Sequence, residues 1–235
     1  MVINPQYSYL FLNIPFLAVW VGLFVFSKNT RKEQLIMSIL FLPLGIIYEN
    51  LFSQDYWTPI SVFSLNMGGT IHILLESLLF SFAIVGIAAV IYQVIFNKKL
   101  VKFKESRNEI ITILSIIIIG MLIVFSLFFL GIKSIFATSI SSIIISLFIV
   151  IQRKDLLVNA LVSGMIVMIT MFFIYYIGFH LAENAEDTLQ QIWLLYGTSL
   201  GFRVLGVPIT EMIWGFATGM FFGPLYAFVK GMRTV

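Results

Sequence analysis

Six side chains that could transfer protons stand inside or beside long apolar stretches of this chain. They are Glu49, His72, Glu76, His180, Glu183 and Glu211. A charged group at membrane depth is costly, so such residues usually face a protein interior and serve a function. If the apolar stretches cross a membrane in alternating directions, all six residues stand near the ends that lie on one side of it. We therefore expect them to gather at one depth.

Within this group, Glu76 and Glu211 are the strongest candidates for an interior role. Apolar residues 73–75 precede Glu76, and apolar residues 212–214 follow Glu211. Glu49 and Glu183 stand closer to the ends of their stretches, where a solvated end charge is an equal alternative.

His72 and Glu76 are four residues apart, a spacing that puts both on one face of a helix. They could exchange a proton or form a structural hydrogen bond, and the spacing favours neither. Together with Glu49 and His180 they could also hold a metal ion. The chain has no HxxxH or ExxH pattern, however, so we predict no metal and no cofactor.

The elements that carry these residues are predicted from composition. The chain has 235 residues, of which 60% are hydrophobic and 11% charged, whereas a soluble domain has about 25% charged residues. Seven apolar runs are long enough to span a bilayer as helices. They cover 9–27, 35–52, 71–96, 110–131, 134–151, 156–178 and 207–229. We predict an all-α bundle of seven transmembrane helices in one membrane domain, without cysteine chemistry and without nucleic-acid binding.

The basic residues orient this bundle. Twelve of the 14 fall on one side of a seven-span arrangement, and only Lys133 and Arg203 fall on the other. The twelve are Lys28, Arg31, Lys32, Lys98, Lys99, Lys102, Lys104, Arg107, Arg153, Lys154, Lys230 and Arg233. Because basic residues favour the cytoplasmic side, we predict the amino end outside and the carboxyl end in the cytoplasm of a prokaryotic cell membrane.

The longer of the two outer loops has a helical pattern of apolar residues. The residues of this pattern are Leu189, Ile192, Trp193, Tyr196 and Leu200. The spacing predicts a short helix on the membrane surface, which could cap the bundle or gate a substrate.

Two stretches of the chain read alike. The first contains, in this order, Glu49-Asn50, Trp57, Gly68-Gly69 and Glu76. The second contains, in the same order, Glu183-Asn184, Trp193, Gly201 and Gly206, and Glu211. Trp and the last Glu are 19 residues apart in the first stretch and 18 in the second. We predict a parallel duplication of 1–105 and 106–235, with one helix inserted in the second repeat and a site at the interface.

These residues resemble the membrane-integral carotenoid (lycopene) cyclase domain family, over nearly the whole chain but through short motifs. Residues 206–216, with Pro208 and Glu211, resemble the family's G-x-P-x-E-E-x-x-F-F element, and residues 73–80 resemble its other copy. Residues 7–10 with Pro15 resemble its amino-terminal Y-x-Y-L…P, and residues 48–57 its W-D…W stretch.

The chain also departs from that family. Where the family has two adjacent acidic residues, this chain has one in each repeat, because Thr210 and Leu75 occupy the other positions. The proline is absent from the first copy, and Glu49 replaces an Asp. The resemblance therefore implies a divergent cyclase, or a relative with another substrate or reaction.

The resemblance implies a redox-neutral reaction on a carotenoid or other isoprenoid lipid that enters from the bilayer. An acid protonates an alkene and a base removes a proton, roles that opposed Glu76 and Glu211 would fill with Glu49 and His72 nearby. Aromatic faces stabilise the intermediate cation by about 0.5–2 kcal/mol each. The expected substrate-binding residues are Trp57, Phe80, His180, Glu183, Trp193 and Trp214.

Other classes of membrane protein stay open. A proton-coupled transporter would also use duplicated halves and paired carboxyl groups, but the acidic residues cluster on one side and the inner half looks dry. A rhodopsin needs a mid-membrane lysine in its last helix, where the chain offers only Lys230 at the inner end. A non-catalytic protein that packs with a partner, and a homo-oligomer, are not excluded.

Overall fold

Seven segments of the computed structural model are long and apolar enough to cross a membrane, which confirms the predicted spans and indicates an integral membrane protein. The structure describes residues 2, 4–52, 54–67, 71–105 and 108–235, so Gly68, Gly69, Thr70 and Arg107 lie outside the described residues. The helices are α1 (Pro5–Phe26), α2 (Arg31–Phe41), α3 (Pro43–Phe52), α4 (Leu75–Ile95), α5 (Glu109–Phe129), α6 (Ser134–Gln152), α7 (Leu157–Leu181), α8 (Ala185–Ile192) and α9 (Ile209–Lys230). A short 3-10 turn at Lys154–Leu156 precedes α7.

The second span is broken into α2 and α3. The break comes between Phe41 and Pro43, because proline has no N–H to donate to the preceding turn and fits best at the start of a helix. Glu49 lies near the end of α3.

Short strands occur at both ends of the bundle, which the all-helical prediction did not include. Three antiparallel pairs join loop segments whose backbone groups bond to each other. The strands are β1 (Ser64–Met67) with β2 (Ile71–Leu74), β3 (Leu100–Lys102) with β6 (Met232–Thr234), and β4 (Arg203–Val204) with β5 (Val207–Pro208). We call the end with the Trp57 and Trp193 loops the Trp end, and the opposite end the β3–β6 end.

The third span begins at Leu75 rather than at residue 71, and this overturns one prediction. His72 pairs in β2 with Asn66 of β1, so its backbone is extended, whereas Glu76 lies in the first turn of α4. The two side chains therefore do not share a helix face, and the predicted i, i+4 pair is wrong.

The loop helix also lies elsewhere than predicted. α8 covers Ala185–Ile192, and the chain leaves the helix at Trp193, which pairs with Trp57 in an isolated antiparallel bridge. The backbone pairing of these two tryptophans prevents the helix from continuing to residue 200. Leu189, Ile192 and Trp193 are buried, as their spacing predicted, but Leu200 is exposed.

Helices α4 and α9 form the centre of the bundle and are its most buried spans. α9 packs closely on α7 through Gly215, Gly219 and Gly223. A methyl group at Gly219 would meet the backbone of Ser163 and Gly164 of α7 at less than 3 Å, so the two backbones approach as small residues permit.

α5 lies at the edge of the bundle. It packs on α6, where Ser141 Oγ donates a hydrogen bond to the Gly120 carbonyl at 2.9 Å. On its other side the rings of Phe125 and Phe128 pack against Phe52 of α3, with centroids 5.8 and 5.0 Å apart. Between these contacts α5 covers a cavity.

Candidate functional site

A cavity of about 220 Å³ lies among the helices beneath the Trp57 and Trp193 loops. Every span contributes to its wall. Its apolar part comes from the middle of the bundle and includes Ile84, Val85, Ile116, Phe221 and Phe222. Its polar part lies toward the Trp end.

Glu49 of α3 and Glu211 of α9 both line this cavity. Glu49 Oε1 accepts a hydrogen bond from Ser77 Oγ at 2.9 Å, and Ser77 Oγ accepts one from Tyr9 Oη at 3.2 Å. This series of hydrogen bonds, from Tyr9 through Ser77 to Glu49, joins α1, α4 and α3, so three spans fix the position of the Glu49 carboxyl group.

Glu211 stands in the first turn of α9, where unbonded N–H groups and the helix dipole favour a negative charge. Tyr175 of α7, which interacts electrostatically with Glu211, also lines the cavity. Glu211 is only partly buried and retains surface that can meet a ligand.

Glu76 is placed differently from its predicted partner. It is fully buried and does not belong to the cavity wall. Its carboxyl accepts hydrogen bonds from Ser61 Oγ, from the Val62 N–H at 2.8 Å and from the Phe63 N–H at 3.4 Å. The carboxyl group thereby ties the preceding loop to the start of α4, whereas Glu211 and Glu49 both line the cavity.

The other ionisable candidates lie on the surface. His72, His180 and Glu183 are exposed and take no part in the cavity wall. His72 Nδ1 lies 2.6 Å from Asn66 Oδ1, and His180 Nδ1 lies 2.8 Å from the Tyr176 carbonyl. Among the described residues, no three His, Cys, Asp or Glu side chains come together as a metal site.

The four predicted aromatic residues, Trp57, Phe80, Trp193 and Trp214, all line the cavity. Phe80 and Trp214 stack with centroids 5.7 Å apart, and Tyr9 packs edge-on to Trp57 at 5.5 Å. Backbone hydrogen bonds flank the Trp57–Trp193 bridge on both sides: the Thr58 N–H donates to the Ile192 carbonyl at 2.8 Å, and the Leu194 N–H to the Tyr56 carbonyl at 2.9 Å. The bridge closes the Trp end of the cavity.

Two polar contacts hold the loops over this end. Asp55 accepts hydrogen bonds from Lys133 Nζ at 3.1 Å and from the Ser134 N–H at 2.6 Å, so it caps α6. Glu186 accepts two hydrogen bonds from Arg203, at 2.7 and 2.9 Å, and a further one from the Tyr196 hydroxyl. The hydrogen-bonded Arg203 guanidinium lowers the pKa of the Glu186 carboxyl below its ordinary value.

Sequence reasoning missed several polar residues of the site. Ser77 and Tyr175 line the cavity but stand in apolar runs without a pattern that singles them out. Tyr9 belongs to residues 7–10, which resemble the family's amino-terminal motif, but it was not predicted as a site residue.

Sequence reasoning also missed a buried carboxyl group at the β3–β6 end. Glu33 of α2 is 4% exposed, and Gln93 Nε2 of α4 donates to both of its oxygens, at 3.0 and 2.9 Å. It follows Lys32 at the start of a span, and no pattern in the sequence singled it out. The half of the bundle that was expected to be dry therefore contains one buried acidic residue.

The comparisons with known proteins add nothing to this geometry: no family model, no curated protein and no solved structure matches the chain. The likeness to carotenoid cyclases rests on the quoted motifs alone.

Proposed function

We propose that the protein is a membrane enzyme that performs redox-neutral acid–base chemistry on the end group of an isoprenoid lipid, in the manner of a lycopene cyclase. One observation carries the proposal: a cavity among the spans has two carboxyl groups, Glu49 and Glu211, and many aromatic rings on its wall, among them those of Trp57, Phe80, Trp193 and Trp214. An alkene that is protonated there forms a carbocation beside aromatic faces, in a site shielded from bulk water.

The two carboxyl groups are assigned different roles in this proposal. Glu49 accepts a hydrogen bond from Ser77, which in turn is bonded to Tyr9, and an accepted hydrogen bond favours the ionised form of a carboxyl group. The first turn of α9 favours the ionised form of Glu211 as well, so these contacts do not divide the roles; we assign Glu49 as the base because three spans fix its position, and Glu211 as the acid. Glu211 gives its proton to the terminal alkene, a second double bond or a water molecule captures the cation, and Glu49 removes a proton, so no electrons are gained or lost.

The size of the cavity limits what it can hold. Its 220 Å³ exceeds the roughly 150 Å³ of an engineered cavity that binds benzene, but it is far too small for a whole carotenoid. One end group would occupy it while the rest of the chain lies in the bilayer. α5 and α3 flank the cavity and meet mainly through aromatic rings, so we infer that the lipid enters between them.

Two backbone pairings support the proposed duplication. Trp57 pairs with Trp193, and β3, which follows α4, pairs with β6, which follows α9. Both pairings are antiparallel and join corresponding positions of the two repeats, as a pseudo-twofold axis requires. α5, at the edge of the bundle, is then the inserted helix. The basic residues flank the β3–β6 end, so we infer that this end faces the cytoplasm and the amino end lies outside.

The test is to express the protein in cells that accumulate lycopene and to analyse their pigments. We expect cyclised, isomerised or hydrated product from the parent protein and from Asp187→Asn, a control at an exposed position of α8. Glu211→Gln and Glu49→Gln should each give unchanged lycopene at equal protein level. Unchanged lycopene with the folded parent protein would count against cyclase activity.

Glu33 favours a second candidate function, proton-coupled transport. A buried carboxyl group at the β3–β6 end, together with Glu49 and Glu211 toward the Trp end, provides proton-binding groups at two depths. The discriminating measurement is proton uptake by liposomes that contain the purified protein and a pH-sensitive dye. Uptake that Glu33→Gln abolishes would support transport and weigh against the enzyme.

A further inference from the structure

Three residues on the cavity wall carry polar atoms without a hydrogen-bond partner among the described residues. The atoms are Asn13 Oδ1, Ser134 Oγ and Trp193 Nε1. Their residues are 0%, 1% and 1% exposed, respectively. Buried polar atoms are nearly always hydrogen-bonded, so three unpartnered ones on the wall of a single cavity call for polar partners there, either water molecules or the polar group of a ligand.

The three side chains are held in place by their other contacts. Asn13 Nδ2 donates to the Tyr9 carbonyl at 3.0 Å, and the Ser134 N–H donates to Asp55. Trp193 is fixed by its backbone bridge to Trp57. Each of the three residues contacts a part of the Trp57 loop or a neighbour of it, since Tyr9 packs on Trp57, Asp55 precedes Trp57 by two residues, and Trp193 pairs with Trp57.

The chemistry of the three atoms selects the ligand group. The indole N–H of Trp193 only donates, the amide oxygen of Asn13 only accepts, and the hydroxyl of Ser134 does both. A hydroxyl group is the smallest uncharged group that can accept from Trp193 and donate to Asn13 or Ser134. A hydrocarbon end group would leave all three unpartnered, at a cost in affinity.

The charge of the wall excludes acidic ligands. Among the described residues, those that line the cavity include Glu49 and Glu211 but no Lys, Arg or His. A phosphate, diphosphate or carboxylate would meet two carboxyl groups and no cation. The remainder of the wall is apolar and continues into the middle of the bundle, so the ligand is an uncharged lipid with a polar end.

From these observations we infer that the polar part of the cavity binds the terminal hydroxyl group of a neutral isoprenoid. This inference rests on the proposed function and names isoprenoid alcohols as substrates that bind more tightly than hydrocarbons such as lycopene. The hydroxyl lies against Asn13, Ser134 and Trp193, and the isoprenoid chain extends along the apolar wall.

The test compares two probes on the purified protein in lipid nanodiscs: geranylgeraniol, and the hydrocarbon of the same chain that lacks the hydroxyl group. Equilibrium binding of the radiolabelled alcohol is measured in competition with each unlabelled compound. We expect the alcohol to bind about 10-fold or more tightly than the hydrocarbon, the effect of two hydrogen bonds that the hydrocarbon cannot make.

Matched variants separate hydrogen bonding from shape. Trp193→Phe and Asn13→Leu should each reduce the preference for the alcohol to about threefold or less. Trp214→Phe, another tryptophan of the wall whose indole N–H is not among the unpartnered atoms, should keep the preference even if it weakens both probes. Thermal unfolding of each variant shows that the fold is retained, and Trp193→Tyr offers a second donor if Trp193→Phe does not fold.

The outcomes distinguish this inference from the proposed function. Equal binding of alcohol and hydrocarbon, or a preference that survives Trp193→Phe and Asn13→Leu, overturns the inference, since water molecules would then satisfy the three atoms. If lycopene is cyclised in cells while the alcohol has no advantage, only the hydroxyl inference fails. If neither probe binds and lycopene is unchanged, both fail.

Discussion

The amino-terminal turns of α4 and α9 hold one glutamate each, Glu76 and Glu211, at corresponding positions of the two proposed repeats. Glu76 is fully buried and accepts three hydrogen bonds from the loop before it. Glu211 lines the cavity with Tyr175 as its neighbour. The first carboxyl group is occupied in holding the backbone, whereas the second is left for a ligand.

The segments before the two helices explain this difference. Residues 61–63 return over the start of α4 and bring the Ser61 hydroxyl and the N–H groups of Val62 and Phe63 to Glu76. Before α9 the chain turns through only two residues, Leu205 and Gly206, both with positive φ (50° and 86°), between β4 and β5. Such a two-residue hairpin is compact, and it leaves no segment that donates to Glu211. A similar sequence position therefore has a structural role in one repeat and faces the cavity in the other.

The largest expected effect tests the proposed role of Glu211 as the acid. Glu211→Gln removes the proposed acid while it preserves size and fold, and general acid–base catalysis contributes about 100- to 10,000-fold to a rate. We expect product formation from a carotenoid or isoprenoid alcohol to fall at least about 100-fold, measured by chromatography of extracted lipids. The unfolding temperature should change little, and an active Glu211→Gln protein would contradict the assigned role.

The second prediction tests the structural role of Glu76. Glu76→Gln places an amide N–H₂ among donors that need an acceptor, and a buried, unsatisfied group of this kind costs about 2–4 kcal/mol in the free energy of unfolding. We expect a clear drop in unfolding temperature in detergent, with lipid chemistry lost only in proportion to folded protein. Full stability together with complete loss of activity would make Glu76 a catalytic residue and reverse the comparison.

These two glutamates also show how far the sequence could predict the molecule. Hydropathy located all seven spans, because a run of about 20 apolar residues is typical of a helix that spans a membrane. The same apolar context made Glu76 and Glu211 look equivalent, since flanking residues do not reveal which loop folds back on a carboxyl group. The hydrogen bonds that hold Glu49 involve Ser77 and Tyr9, which are 28 and 40 residues away in sequence and come together with it only in the packed bundle.

The aromatic residues were more predictable than the acids. Trp57 and Trp193 stand in the two loops at the Trp end and Trp214 stands near the start of the last apolar run, and large amphipathic rings at such positions tend to pack on the bundle. All three line the cavity. The strands at the two ends of the bundle could not be predicted, because their partners are up to about 134 residues apart and the segments are too short to show alternation.

The third prediction extends the comparison to the loops of the two repeats. Asp55 holds the first loop through Lys133 and the start of α6, and its side chain is 11% exposed. Glu186 holds the second loop through Arg203, and its side chain is 57% exposed. Asp55→Asn should cost about 1–2 kcal/mol in the free energy of unfolding, because a helix cap and a partly buried ion pair are lost together.

Glu186→Gln serves as the matched change for Asp55→Asn. We expect it to cost about 0.5 kcal/mol or less, since exposed ion pairs contribute little. Thermal unfolding of both variants in the same detergent provides the comparison. An equal loss in the two proteins would show that burial does not distinguish the two loops.

The smallest expected effect is a dependence on pH that comes from Glu186. Arg203 lowers the pKa of this carboxyl group in the folded protein, so the ion pair stabilises the fold fully above the ordinary pKa of glutamate. As the pH falls through the lowered pKa the carboxyl group becomes protonated and that stabilisation is lost. In unfolding temperatures recorded from neutral to acidic pH, Glu186→Gln should converge with the parent protein at the acidic end, and added salt should shrink the gap between them at neutral pH, because the pair is exposed. A gap that stays constant over the whole range would mean that Glu186 holds the second loop by its shape, and not by its charge.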